Sequence, residues 1–197
     1  MNTRAKKLWS CLILMLFLLS SCSKNTPEST VKTFLDSTIK MDIKNATDCL
    51  NRDKNSSDFI NSIFIFEDDY QKELAGKTFS KMEYNISSIE DIEKDYKKAI
   101  LTIKHIDFLK ITEEVVPKLM EGDLQNSSDE AMDKMVKEYF SKTLSDSNTP
   151  MIDSNIEIVL YKSNGKWLII PDEELLNAIS GNMIMAYQLI GESIPTQ

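Results

Sequence analysis

From residue 26 onward the chain switches between two hydrophobic periods, and the switches mark its elements. Thr26-Pro27-Glu28 reads as an N-cap, a proline at the first helical position and an early acid. Val31, Phe34, Leu35, Thr38 and Ile39 then recur on one helical face, which predicts a helix over 27–41. Asp42 is placed to cap a short second helix carrying Ile43, Ala46 and Leu50, and a polar loop follows from Asn51 to Ser57. Asp58 restarts a helix through Phe59, Ile60, Ile63, Phe64, Phe66, Tyr70 and Leu74, which Gly76 is expected to stop. The period then falls to two, with Met82, Tyr84 and Ile86 alternating against Lys81, Glu83, Asn85 and Ser87. A second strand runs from Tyr96 to Ile106 after an acidic turn around Glu90 to Asp95, with Ala99, Leu101 and Ile103 sharing a face; Ile89 and Ile92 leave the edge of that turn open.

Residues 109–148 return to a helical period and form an amphipathic insertion. Val115, Val116 and Leu119 stripe its first part and Met132, Met135, Val136, Tyr139, Phe140 and Leu144 its second, with a loop at Gly122 to Ser128 between them. Pro117 either opens the first helix or bends it. The sharpest local signal is Asn164-Gly165 between Ile156–Lys162 and Lys166–Ile170, a pair suited to a two-residue type I′ hairpin. With Ser163 opposite Lys166, the register puts Ile156, Ile158, Leu160, Trp167 and Ile169 on one face. The other face, with Glu157, Val159, Tyr161, Leu168 and Ile170, is too apolar for full solvation, so cover is expected from the insertion, the C-terminal segment or a second copy in a homodimer. Asp172 caps a last helix, Gly181-Asn182 interrupts it, and Met183 to Ile190 continue as an apolar segment that either packs on the domain or binds a protein partner.

The first residues follow a different logic. Arg4, Lys6 and Lys7 precede an apolar run from Leu8 to Leu19, the order of a secretory signal over residues 1–21. Twelve residues make about 18 Å of helix, against the roughly 30 Å of a bilayer core, so the run is too short to span. Leu19-Ser20-Ser21-Cys22 resembles the bacterial lipobox, which implies cleavage between Ser21 and Cys22 and a diacylglycerol on the Cys22 thiol, with palmitate-type acyl chains. Ordinary signal cleavage nearby is the alternative, since Ser20 and Ser21 also suit it. Two or three acyl chains hold firmly where one binds only reversibly, so the lipobox implies a cell-membrane anchor on the extracytoplasmic face. Residues 22–26 are then a brief tether and 27–197 a single domain.

Removing the signal takes three cations and no anions, so the formal charge moves from −8 to −11. A surface that acidic disfavours nucleic acid as a partner, and leaves the lipid to do the anchoring. Cys11 leaves with the signal and Cys22 is acylated, so Cys49 has no partner for an internal disulfide. Its helical spacing from Ala46 favours a buried structural thiol over a reactive one.

Helices, a hairpin, then a second hairpin ending in Asn-Gly-Lys-Trp is an order similar to the nuclear transport factor 2-like fold, a curved sheet wrapped around N-terminal helices. The stretches "TPESTVKTFLDSTIKMDIKNATDCL", "DYKKAILTIKHID" and "IEIVLYKSNGKWLIIPDEELLNAISGN" resemble small bacterial lipoproteins of unknown function, of Gram-positive type, with that fold. The resemblance implies an α+β class: N-terminal helices packed in a curved antiparallel sheet, a helical insertion and a C-terminal helix.

Candidate chemistry is sparse. The only histidine, His105, lies two residues before Asp107, and a base with an orienting carboxylate is the arrangement a cone-fold isomerase or dehydratase would need. Nothing at that spacing makes the two hydrogen-bond, which favours a surface or boundary histidine. The acids in Glu67-Asp68-Asp69, Glu90-Asp91-Glu93 and Glu113-Glu114 lack zinc or EF-hand spacing, and no phosphate loop, serine elbow or dinucleotide fingerprint occurs, so neither metal nor cofactor is expected. The favoured reading is a non-catalytic lipoprotein that binds a protein partner or a small apolar ligand; the rival is an enzyme with an acid/base pair in its cavity.

Overall fold

The computed structural model describes residues 25–52, 54–121 and 129–193; the expected signal peptide, its expected cleavage between Ser21 and Cys22, the expected lipidation of Cys22 and the stretch 122–128 expected to be a loop lie outside them. In chain order the described elements are α1 (Pro27–Ile39), α2 (Ile43–Thr47), α3 (Lys54–Phe64), α4 (Asp69–Ser80), β1 (Glu83–Glu93), β2 (Tyr96–Ile106), α5 (Phe108–Glu121), α6 (Asp129–Ser145), β3 (Met151–Ser163), β4 (Lys166–Ile170), α7 (Glu173–Ser180) and α8 (Met183–Ser193). The class is α+β, with one four-stranded antiparallel sheet in the order β1-β2-β3-β4.

α1 begins where its sequence says. Thr26 and Ser29 cap each other reciprocally, and Pro27 fills the first helical position, where no amide hydrogen is missed. The helix ends in a left-handed Met41, with the amide of Asp42 donating to Ser37 O and that of Met41 to Thr38 O. That pair of bonds satisfies carbonyls the helix would otherwise leave open and turns the chain into α2, whose cap is Asp42.

Two departures from the helical pattern follow. α3 starts at Lys54, inside the stretch expected to be loop. The long helix expected to run to Gly76 is instead two, separated at residues 65–68. The break is local chemistry: Asp68 accepts the Gln71 amide at 2.7 Å while Gln71 accepts the Glu67 amide at 2.8 Å, so one open donor of the new helix and the amide just before its cap are satisfied together. Gly76 sits inside α4, which continues to Ser80.

β1 and β2 pair directly through a two-residue turn at Lys94-Asp95, and two register shifts, at Ser87 and Ile92, place single extra residues in β1. The first lets Tyr84, Ile86 and Ile89 all oppose the inward residues Ile103, Leu101 and Ala99. The second leaves Ile92 exposed. The β3–β4 hairpin has the expected register, Ser163 opposite Lys166 through Leu160 opposite Ile169, and both turn residues, Asn164 and Gly165, have positive φ.

The inward face of the sheet packs against α1, α3, α4 and α7 in one core that includes Phe34, Leu35, Phe59, Leu101, Ile158, Leu160, Ile169 and Leu175. The helical insertion, α5 and α6, builds a second core of its own, in which Ile106, Phe108, Ile111, Phe140 and Leu144 meet Leu74 of α4 and Ala186 of α8. Pro117 lies inside α5 without ending it. Among the described residues the expected cover for the outer face does not come from these elements: α7 joins the inward core and α8 packs on α5. Ile100, Val159, Tyr161, Leu168 and Ile170 remain half-exposed there, with the rings of Tyr96 and Tyr161 at 4.9 Å.

Candidate functional site

His105 is buried, 1% exposed, which corrects the expectation of a surface or boundary position. It lies on the inward row of β2 opposite Ile152, at the end of the sheet where β2 runs into the insertion. Its Nδ1 is 2.9 Å from the Ile106 carbonyl, an acceptor only, so Nδ1 carries the proton. Nε2 therefore accepts the Ser154 hydroxyl, at 2.7 Å. Burial pushes the imidazole below its ordinary pKa, against weaker opposing effects from the Ile106 carbonyl and the charges of Asp107 and Asp153. Asp107 is committed elsewhere: its carboxylate accepts the Lys110 amide at 3.0 Å, capping α5. The structure does not join the two residues into a proton-transfer pair, and both histidine nitrogens are occupied by structural partners.

Cys49 is buried and its thiol donates to the Asn45 carbonyl at 3.3 Å. Burial, then the charge of Asp48, pushes its pKa up to about 11, so almost none is thiolate at neutral pH. The expected structural thiol is what the fold contains. Several of the clustered acids take structural partners. Asp68 caps α4, and Glu90 and Asp91 face Lys98 and Lys97 across the β1–β2 pair. Among the described residues no group of three metal-ligating side chains comes together.

A groove of about 530 Å³ lies between the α3–α4 break, α6 and the start of α8. Ile63, Phe66, Leu74, Phe79, Met183 and Ile184 supply its apolar lining. Glu67, Asp68 and Gln71 come from the break and the first turn of α4, and Lys137 from α6. Tyr70 fixes one wall: its hydroxyl donates to the Lys137 carbonyl at 3.3 Å and the Lys137 ammonium lies 5.2 Å from its ring centre. A shallower recess on the other side of the break shares Ile65, Phe66, Glu67 and Asp68, so the break forms a ridge between two hollows. Ile65 on that ridge is 62% exposed.

Sequence reasoning allowed binding at the outer sheet face, at the C-terminal segment, which here contributes Met183 and Ile184 to the groove, or in the cone, the space inside the curve of the sheet. That space is filled by α1, α3 and α7, and the groove lies instead where the helical layer meets the insertion. The available signal was Asp68-Asp69-Tyr70-Gln71, a cap with a glutamine three residues on, which ends one helix, starts the next and leaves the intervening Ile65 exposed and Phe66 half-buried. No helix among the described residues is long and apolar enough to cross a membrane. No family model matches the chain, no curated protein is found similar to it, and no solved structure matches its fold.

Proposed function

We propose that this chain is an extracytoplasmic lipoprotein, anchored to the cell membrane by a diacylglycerol on Cys22 after cleavage behind Ser21, and that its domain binds a small apolar ligand without catalysis. The domain is a variant of the nuclear transport factor 2-like cone in which the insertion, rather than the inside of the curved sheet, supplies the ligand site. Helices on one face of a twisted four-stranded antiparallel sheet favour that reading of the fold.

The observation that carries the function is the groove. Its volume suits a small molecule, its floor is aliphatic and aromatic, and its polar lining includes the exposed acids Glu67 and Asp68 at the ridge, with Gln71, Tyr70 and Lys137 beside them. An apolar body would lie on Phe66, Met183 and Ile184, and a hydrogen-bond donor on the ligand would meet the ridge carboxylates. Methionine at the mouth allows the groove to adapt to its occupant.

The test is organic extraction and mass spectrometry of the protein purified from membranes, beside its Ile184→Arg variant. A small molecule enriched with the native protein and lost several-fold from the variant is expected. Identical extracts from the two proteins, together with no displacement of a groove-bound fluorescent probe by the extract, would remove the groove as a ligand site.

A further inference from the structure

The structure fixes where the chain enters the domain, and hence which end of the domain lies nearest an anchor on Cys22. Asn25, the first described residue, is held against the sheet: its side-chain oxygen accepts the Trp167 amide of β4. Thr30 of α1 adds a bond from its hydroxyl to the Trp167 carbonyl at 3.3 Å. Cys22 is three residues before Asn25, and three extended residues reach at most about 10 Å. An anchored Cys22 therefore keeps the start of β4 close to the headgroups.

The start of β4 belongs to one particular end of the sheet. The Asn164-Gly165 turn lies just before it, and the Lys162 amide donates to the Asp95 carbonyl at 2.8 Å, so the β1–β2 turn sits beside the hairpin at the same end. Over residues 91–97 and 162–166 this end carries Lys94, Lys97, Lys162 and Lys166 against Asp91, Glu93 and Asp95, with Lys97 paired to Asp91. Lys162 lies 5.6 Å from the Trp167 ring centre and Lys166 is exposed. The insertion leaves the opposite end, where Ile106 of β2 pairs with Met151 of β3, and residues 108–146 hold nine Asp and Glu against five Lys. A molecule with a strongly acidic total has its local cation excess at the end where the tether arrives.

We propose that the β1–β2 turn and the β3–β4 hairpin form a membrane-facing surface that meets anionic lipid headgroups, with the insertion and its groove turned away from the bilayer. The assignment rests on the lipid anchor at Cys22. Chain entry brings this end within reach of the headgroups, and the lysines make it the end that an anionic surface attracts while the acidic insertion is repelled. Screening confines the attraction to about a Debye length, near 8 Å at physiological salt, which is comparable to the reach of the tether. The groove then opens to the aqueous side, accessible to a soluble ligand.

The experiment uses the full lipidated protein on vesicles of phosphatidylcholine with and without phosphatidylglycerol. A fluorophore is attached at Ser163→Cys or Glu93→Cys at the turn end, or at Ser145→Cys at the insertion end, and headgroup-nitroxide lipid serves as quencher. The buried, high-pKa Cys49 leaves the introduced thiol as the reactive one. Several-fold stronger quenching at both turn-end positions than at 145 is expected, increased by phosphatidylglycerol and reduced in a Lys94→Glu, Lys166→Glu double variant. Equal quenching at the two ends, or stronger quenching at 145, on protein that floats with vesicles and carries glyceride by mass, overturns the orientation alone. Protein that lacks the glyceride and does not float overturns the anchor and the orientation with it.

Discussion

His105 illustrates how a residue that reads as chemistry in a sequence becomes structure in a fold. A histidine two positions from an aspartate suggests a base and its orienter, but the ring spends one nitrogen on a carbonyl and the other on a hydroxyl, and the aspartate spends its carboxylate on a helix start. The consequence is measurable as stability against pH. Because burial lowers the folded pKa, the unfolded chain takes up a proton first as pH falls through about 6.5. Stability conferred by the neutral ring is thus complete above that value and declines below it, until the folded form is protonated as well. The urea midpoint is expected to drop between about pH 7.5 and about pH 5.5, and His105→Gln is expected to flatten that slope whatever it does to the midpoint itself. An unchanged slope in the variant would mean that other groups set the acid sensitivity. Tyr84 is a second such residue: its hydroxyl donates to Asp36 at 2.7 Å, and burial followed by that bond and charge raises its pKa, tying β1 to α1.

Elements are joined here by corners that tolerate little change, and Gly181 is the tightest. It is left-handed, at φ 67°, as the residue that ends α7, and its carbonyl accepts the Phe108 amide at 3.2 Å. A β-carbon there would stand 2.4 Å from the Ile106 carbonyl oxygen and 3.0 Å from the Phe108 ring. The left-handed backbone and the clash act together, so Gly181→Ala should destabilise by about 2–4 kcal/mol, readable as a shifted denaturant midpoint. Gly165 has the same sign of φ but open space around it, so alanine there should cost only the backbone preference of about 1 kcal/mol. A comparable loss at both positions would show that the contact with the end of β2 is not what constrains Gly181. Asn164-Gly165 and Asp172 were legible beforehand because each acts within a few residues of itself. The start of α3 and the break before α4 were not, because an apolar stripe continues across 59–74 and only the competing cap at Asp68 interrupts it.

At the scale of the molecule the two cores share one wall. α4 turns Ala75 and Phe79 toward the sheet and Leu74 toward the insertion. Truncation of that side chain, Leu74→Ala, should cost about 2–5 kcal/mol and lower amide protection on both sides of α4 together. Protection lost only in α5 and α6 would mean that the insertion unfolds as an independent unit. The sequence periods carried the α+β class, the order of elements and most inward residues, since burial on a sheet or helix face is a local pattern. Lys137 from α6, Ile184 from α8 and Phe66 from the break share the groove only through tertiary packing, so no spacing between them was there to read.

The margins of the sheet decide how copies of the chain can meet one another. β4 finishes against its own chain: Ile169 bonds through its amide to the Cys49 carbonyl and through its carbonyl to the Asn51 amide, and Trp167 is taken by Asn25 and Thr30. β1, at the other margin, is twice interrupted and carries Glu83, Glu90, Asp91 and Glu93. Neither margin offers a long, flat ladder to a neighbour, so adjoining molecules are kept from zipping edge to edge into fibres.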